Sequence, residues 1–257
     1  MNRSFQKLLK VLCLLFVLTG FVLIGSDSCA QNTIVVITPH PDDAEASCGG
    51  LIANSVAAGD KVVIITITGG EYGIGGKTPA EARAIRTVEA QNAADVLHAK
   101  VEFFGGIDAS LPVDTSNTAR LAEILLRLKP SVVLAPWPLD VHPDHQATGL
   151  LAWRVFQDNR FSFDLFFYET SNSPHTKTFA FVPTDYVDIT NQMAIKKEAT
   201  YQHKSQNPAE WYGMYEILAT VRGYEADVPF AEAYIRAQNS SGMGGRRNIT
   251  GKLLTKK

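Results

Sequence analysis

The chain has 257 residues, of which 46% are hydrophobic and 19% charged, with a formal net charge of −2. This length and composition suit one substantial globular core and exclude a disordered or collagen-like chain. A near-neutral balance gives no bulk electrostatic drive toward nucleic acid or an anionic membrane, and neither is expected as a partner.

The first thirty residues stand apart. Arg3, Lys7 and Lys10 precede an apolar run from Val11 to Ile24, and Ser28-Cys29-Ala30 supplies small residues before Gln31. This is the pattern of a cleaved secretory signal, and the run is shorter than the ~20 residues a spanning helix needs. Residues 1–30 are therefore expected to be removed, leaving no integral membrane span. The mature chain is expected in the periplasm or outside the cell, with a lipid-anchored Cys29 as the alternative. Arg3, Lys7, Lys10 and Asp27 leave with the segment, which moves the net charge from −2 to −4. Cys13 and Cys29 also leave, so Cys48 stands alone and no internal disulfide can form.

The mature chain opens on TIVVITPHPDDAEASCGG, residues 33–50. The β-branched run from Ile34 to Ile37 suits a central strand covered on both faces. It leads into a loop where Pro39 and Pro41 stiffen the backbone around His40. His40 and Asp43, three apart, offer a nitrogen and an oxygen donor of the kind zinc takes, with Asp42 between them. Taken alone, the stretch fits helix capping and turn chemistry equally well.

A helix is expected over 43–58, closed by Gly59, then a second buried strand over 61–68. The loop 69–76, GGEYGIGG, lacks the GxGxxG order and follows the second strand, which excludes a dinucleotide fingerprint. It reads as a mobile rim in which Glu71 is either a substrate contact or a solvated carboxylate. A long helix should run from Thr78-Pro79 to about His98, with Ala82, Ile85, Val88, Ala93, Val96 and Leu97 on one face. On it Arg86 and Glu89 have the spacing of an intrahelical pair. A third strand at 101–104 ends in a loop carrying Asp108. A helix over 116–128, capped by Ser116 or Asn117, precedes a fourth buried strand at 131–135.

Strands alternating with helices predict an α/β fold, a Rossmann-like mostly parallel sheet with helices on both faces. Right-handed crossovers place every strand-end loop at one edge. In the common strand order the first and fourth strands are neighbours, and ligands bind in the crevice beyond their carboxyl ends. The second cluster, PWPLDVHPDH at 136–145, falls there. His40, Asp43 and His145 can then form a two-histidine, one-carboxylate zinc site with a position left for water; exchange of His142 with His145 is an open alternative. Asp42 is placed to take a proton from that water, His142 to stabilise an oxyanion or protonate a leaving amine, and Asp144 to orient a histidine.

Further strands are expected at 165–168 and 186–189, then a helix over 192–202. His175 reads as an exposed loop residue and His203 as structural. Trp211, Tyr212 and Tyr215 read as core aromatics. Ser240 to Lys257 holds five basic residues and no acid, a solvated tail, with Asn248-Ile249-Thr250 in the form of a glycosylation site. The expected organisation is a signal at 1–30, one domain over 31–239 and a tail at 240–257.

The motifs together resemble one family, the LmbE-like or PIG-L zinc-dependent deacetylases. The resemblance rests on PHPDDAE at 39–45, TGGEYG at 68–73, Arg86 with Glu89, GGIDASL at 105–111, DVHPDH at 140–145, KEATYQHKSQ at 197–206 and PFAEAY at 229–234. It implies one zinc per chain on His40, Asp43 and His145, Asp42 as general base, His142 at the oxyanion or leaving group, and Asp144 supporting His142. It also implies substrate contacts from Arg86, Glu71 and Asp108, and hydrolysis of the acetamide of an N-acetylglucosaminyl compound. Leu97-His98 stands where the family often has Leu-Gly, and Ala44 where an acid is frequent. The rival readings are an amidase on another acylated sugar conjugate and a metal-dependent carbohydrate-binding protein with little turnover. Neither the oligomeric state nor the group attached to the sugar is legible.

Overall fold

The computed structural model describes residues 31–158, 162–171, 179–237 and 253–254. The signal-like segment, most of the 171–177 loop with His175, and Asn248 with nearly all of the basic tail lie outside the described residues. The strands are β1 (Thr33–Thr38), β2 (Lys61–Thr68), β3 (Lys100–Gly106), β4 (Val132–Pro136), β5 (Asp164–Tyr168), β6 (Asp185–Asp188), β7 (Ala231–Arg236) and a two-residue β8 (Leu253–Leu254). The main helices are α1 (Asp43–Ala57), α2 (Pro79–Val96), α3 (Thr115–Leu128), α4 (Pro143–Phe156), α5 (Met193–Thr200), the single turn α6 (Pro208–Trp211) and α7 (Gly213–Ala226). No helix among the described residues is long and apolar enough to cross a membrane.

The sheet runs β3-β2-β1-β4-β5-β7-β6-β8. Its first five strands are parallel, with Val36 opposite both Ile64 and Leu134, and β7 then adds antiparallel to β5 and β6. This is the mostly parallel α/β sheet expected, and β1 and β4 are neighbours at the point where the winding reverses. One face of β1 packs Ile34 and Val36 against Leu51, Ile52 and Tyr234. The other packs Val35 and Ile37 against Leu121, Leu125, Leu151 and Val155. With both faces covered, the unbroken β-branched run is the sequence such a strand requires.

Helix α1 approaches its neighbours closely because Gly49 and Gly50 lack side chains. A Cβ on Gly50 would fall 2.4 Å from Ile189, and one on Gly49 would fall 2.9 Å from Lys196. Into that contact β7 sends Glu232, whose carboxylate accepts from the Gly50 and Leu51 amides at 2.8 Å each. Lys196 Nζ at 2.6 Å and the Tyr234 hydroxyl at 2.9 Å complete its set. The buried charge is thus fully satisfied, as burial demands, and it pins the helix that carries Asp43.

Several local readings change. The cap of α3 is Asp114, whose side chain accepts from Asn117 N; Ser116 and Asn117 lie inside the helix. On α2 the capping box formed by Thr78 and Glu81 sets the start, but Val88 is 60% exposed and belongs to the solvent face. Trp211, Tyr212 and Tyr215 do close a small core, with Ala46 and Tyr201. Within the 69–76 loop, residues 70–73 make hydrogen bonds with side chains from three elements, detailed below.

Candidate active site

The loop after β1 is held from beneath. Pro39 O accepts from both the amide and the hydroxyl of Thr68, at 2.9 and 3.0 Å, and Thr38 Oγ1 donates to His40 O at 3.1 Å. Asp42 then adopts φ 125° and ψ −33°, a region that costs a non-glycine residue on the order of 1–3 kcal/mol and that persists where surroundings over-determine it. Although Asp42 stands at the start of α1, its side chain makes no cap bond. Its carboxylate instead accepts from Arg86 Nη2 at 2.9 Å. Burial pushes the Asp42 carboxyl up to about 6, with Arg86 opposing and Asp43 adding.

Asp43 faces inward. One oxygen, Oδ2, lies 3.2 Å from Nδ1 of His40 and 3.3 Å from Nε2 of His145. The ring of His142 sits nearby, its centroid 4.8 Å from that of His40 and 4.9 Å from that of His145. The far side of His40 is clamped by acids: Nε2 is 3.2 Å from Asp144 Oδ2 and 3.3 Å from Asp108 Oδ1. The far side of His145 meets Thr170 Oγ1 at 3.0 Å and Asp140 Oδ1 at 3.3 Å, and the Thr170 hydroxyl also bonds Asp140. Loop amides fix the acids in turn: Ala109 N to Asp144 at 2.7 Å, Tyr72 N to Asp108 at 3.1 Å, His142 N to Asp140 at 2.9 Å. A carboxylate on one ring nitrogen sets the tautomer and leaves the other free for a ligand.

His142 is the N-cap of α4, and its Nδ1 accepts from Asp144 N at 3.2 Å. The remaining nitrogen, Nε2, therefore carries the proton of a neutral ring. Burial, then the positive rings of His40 and His145, hold His142 below its ordinary value. The opposite holds for those two rings. For His40, burial opposes the charge, but Asp108, Asp144 and Asp43 outweigh it and hold the ring well above the ordinary histidine range. For His145, burial is outweighed by Asp43 and Asp140, and the value rises to about 9.

Four buried carboxylates, Asp43, Asp108, Asp140 and Asp144, surround two buried imidazoles in a cluster that calls for positive charge. Oδ2 of Asp43 lies 3.2 Å from Nδ1 of His40 and 3.3 Å from Nε2 of His145, and His40, His142 and His145 each offer a nitrogen within 4.8 Å of the others. A nitrogen of His40 and carboxylate oxygens of Asp108 and Asp144 likewise lie within 4.8 Å of one another. A His-His-Asp donor set with acid-backed rings fits a divalent cation of the zinc type.

The remaining residues singled out in the sequence lie as follows. Arg86 is 4% exposed, and besides Asp42 it donates to Gly70 O at 3.2 Å and to Pro41 O. A Cβ on Gly70 or Gly73 would stand 2.2 or 2.5 Å from its Nη1, so these glycines make its berth. Glu71 is buried and pairs with Arg83 at 2.5 Å. Asp108 touches His40. All three expected substrate contacts thus bond protein groups around the site. Glu89 is not the intrahelical partner of Arg86; it accepts from Ser205 N and Oγ at 2.7 and 2.6 Å. The Asp144 carboxylate lies on His40, and only its backbone amide meets His142. His203 is fully buried, 3.3 Å from Glu45. Sequence reasoning missed Asp140 and Thr170. Asp140 had a signal, a carboxylate two residues before His142, whereas Thr170 had none.

These features define a Rossmann-like α/β protein with a His-His-Asp cation site at the sheet's switch point. Residues 35–156 match the PIG-L family, described as GlcNAc-PI de-N-acetylase. The diacetylchitobiose deacetylase of Thermococcus kodakarensis is 28% identical over 204 residues, 74% of this chain and 76% of that one. The structure of the N,N'-diacetylchitobiose deacetylase of Pyrococcus horikoshii superposes with a TM-score of 0.72 at 26% identity, covering 81% of this chain and 84% of that one. A 4-oxalmesaconate hydratase of Pseudomonas putida is 31% identical over 112 residues, 41% of this chain and 43% of that one. The family likeness is thus to the PIG-L (LmbE-like) proteins, and it is carried by residues 35–156.

Proposed function

We propose that this protein is a zinc-dependent N-deacetylase that removes the acetyl group from an N-acetylglucosaminyl compound, releasing acetate and a free amine. One zinc ion per chain would be held by His40, Asp43 and His145. When bound it would polarise the acetamide carbonyl and make water a stronger nucleophile. The rest of the chemistry falls to the chain. Asp42, ionised at neutral pH and beside the ligand set, takes the proton of the attacking water. His142 presents an Nε2–H to the oxygen that gains charge in the tetrahedral intermediate, and the proton taken up by Asp42 passes to the departing nitrogen. Asp144 and Asp108 hold His40, and Asp140 with Thr170 holds His145.

The single observation that carries this reading is that two further groups adjoin the His40–Asp43–His145 set: His142, its ring centroid 4.8 and 4.9 Å from those of His40 and His145, and Asp42, a carboxylate raised to about 6 beside Asp43. A pure carbohydrate-binding protein needs neither. The hydratase among the relatives also adds water and shares the fold, but the sequence match that extends over most of the chain is to a deacetylase of an N-acetylated sugar, which favours amide hydrolysis. The signal-like residues 1–30 support action outside the cytoplasm.

The test is acetate release by the zinc-loaded mature protein from a panel of N-acetylglucosaminyl glycans, lipids and small glycosides, with Asp42→Ala as control. Release from a panel member, abolished in the variant while zinc stays bound, is the expected result. No release from any of them, with zinc bound, would overturn the reading and direct assays to other acyl conjugates or to hydration.

A further inference from the structure

Residues 203–206 lie outside the stretch that matches the family, yet they reach the site from three directions. His203 is sealed against Glu45 in the first turn of α1. Ser205 gives both its amide and its hydroxyl to Glu89, a two-bond, charge-assisted clamp onto α2. Gln206 donates to Gly73 O at 3.3 Å, and its own carbonyl accepts from Trp211 Nε1 at 2.8 Å.

Each anchor abuts the Arg86–Asp42 pair. Glu89 stands one turn beyond Arg86 on the same helix. Gly73 closes a tight turn by donating its amide to Gly70 O at 3.0 Å, and Gly70 O is also the acceptor of Arg86 Nη1. Glu45 follows Asp42 by three residues. The guanidinium thus sits in a slot whose walls are the 70–73 turn, the Pro41–Asp42 backbone and α2, with the 203–206 segment closing it from outside.

We propose that Glu89, through Ser205 and Gln206, is a positioning residue that keeps the 70–73 turn and Arg86 in register and so aims the carboxylate of Asp42. The proposal rests on Asp42 being the base. It differs from a packing role because it requires the effect of Glu89 to pass through Arg86.

The experiment compares Glu89→Ala, Glu89→Gln, Arg86→Lys and the Glu89→Ala/Arg86→Lys double variant as zinc-loaded protein. A misaimed base lowers kcat by about 10- to 100-fold. Glu89→Ala should show that loss at unchanged KM and zinc content, and Glu89→Gln, which keeps an acceptor for Ser205, should recover most of it. In the double variant the losses should not multiply. Amide hydrogen exchange of residues 70–73 should quicken in Glu89→Ala and remain near wild type in Glu89→Gln. Multiplying losses, or exchange unchanged in Glu89→Ala, would overturn the proposal. If the wild-type protein releases no acetate, the deacetylase reading fails on its own, and the exchange measurement still decides whether Glu89 holds the turn.

Discussion

The carboxylate of Asp144 lies 3.2 Å from Nε2 of His40, where the Ala109 amide holds it across 2.7 Å. An acceptor at that nitrogen fixes the proton there and leaves Nδ1, the nitrogen facing Asp43, free for a metal. Asp140 does the same for His145 from the other side. Replacing Asp144 or Asp140 with Ala should weaken zinc binding by about 10- to 100-fold, read by competition with a chromophoric chelator. Affinity at the wild-type value in both variants would show that the two acids do not orient the rings.

Asp42→Asn separates chemistry from architecture. The amide oxygen can still accept from Arg86, so the loop should hold and zinc should bind at one ion per chain. Turnover should fall by about 10²- to 10⁴-fold, the range for loss of a general base. Zinc stoichiometry and acetate release, measured on the same preparation, check both halves.

Metal removal should invert the pH dependence of stability. In the stripped protein His145 is raised to about 9 in the fold against roughly 6.5 in an unfolded chain. A raised histidine contributes stability that is fully present below the unfolded value and is lost as pH rises through the folded one. Stripped protein should therefore melt lower at pH 9 than at pH 6.5. Zinc-loaded protein should lose ground toward acid, because ligation needs the rings deprotonated. Thermal melts of both forms at the two pH values test this.

Lys196→Met leaves Glu232 buried without its cation. The carboxylate keeps the Gly50 and Leu51 amides and the Tyr234 hydroxyl, but an uncompensated buried charge costs about 3–5 kcal/mol. Chemical denaturation should show a loss of that size, and adding Glu232→Gln should restore part of it. A loss below about 1 kcal/mol would mean that the pair behaves like one exposed to solvent.

Much of the site was legible because its donors fall in two short runs, each directly after a β-branched strand, and parallel topology fixes where such runs meet. The partners were not legible where they depend on contacts across the fold. Glu89 has the spacing of an Arg86 partner, yet its carboxylate is taken by Ser205 from 116 positions away, and periodicity carries no trace of that. Thr170 is one hydroxyl in a Thr-Ser-Asn-Ser run past β5, and its relation to His145 exists only once β4 and β5 pair. Val88 fits an apolar stripe that α2 does not bury along its whole length. Helix α4 went unread because its first turn is the ligand run itself and its exposed face, Gln146, Leu150 and Arg154, is interrupted by a leucine and marks the period weakly.

His40 and Asp144 are 104 positions apart in the chain, and only the pairing of β1 with β4 unites them. Two strand-helix units must form and dock before that pairing can occur, and long-range closures of this kind come late in folding. On that order of events the ligand cluster should be absent from the folding transition state, which φ-values at His40 and Asp144 would test. An ion bound there should slow unfolding while leaving the folding rate untouched: it is a latch on the finished protein, not a template for making it.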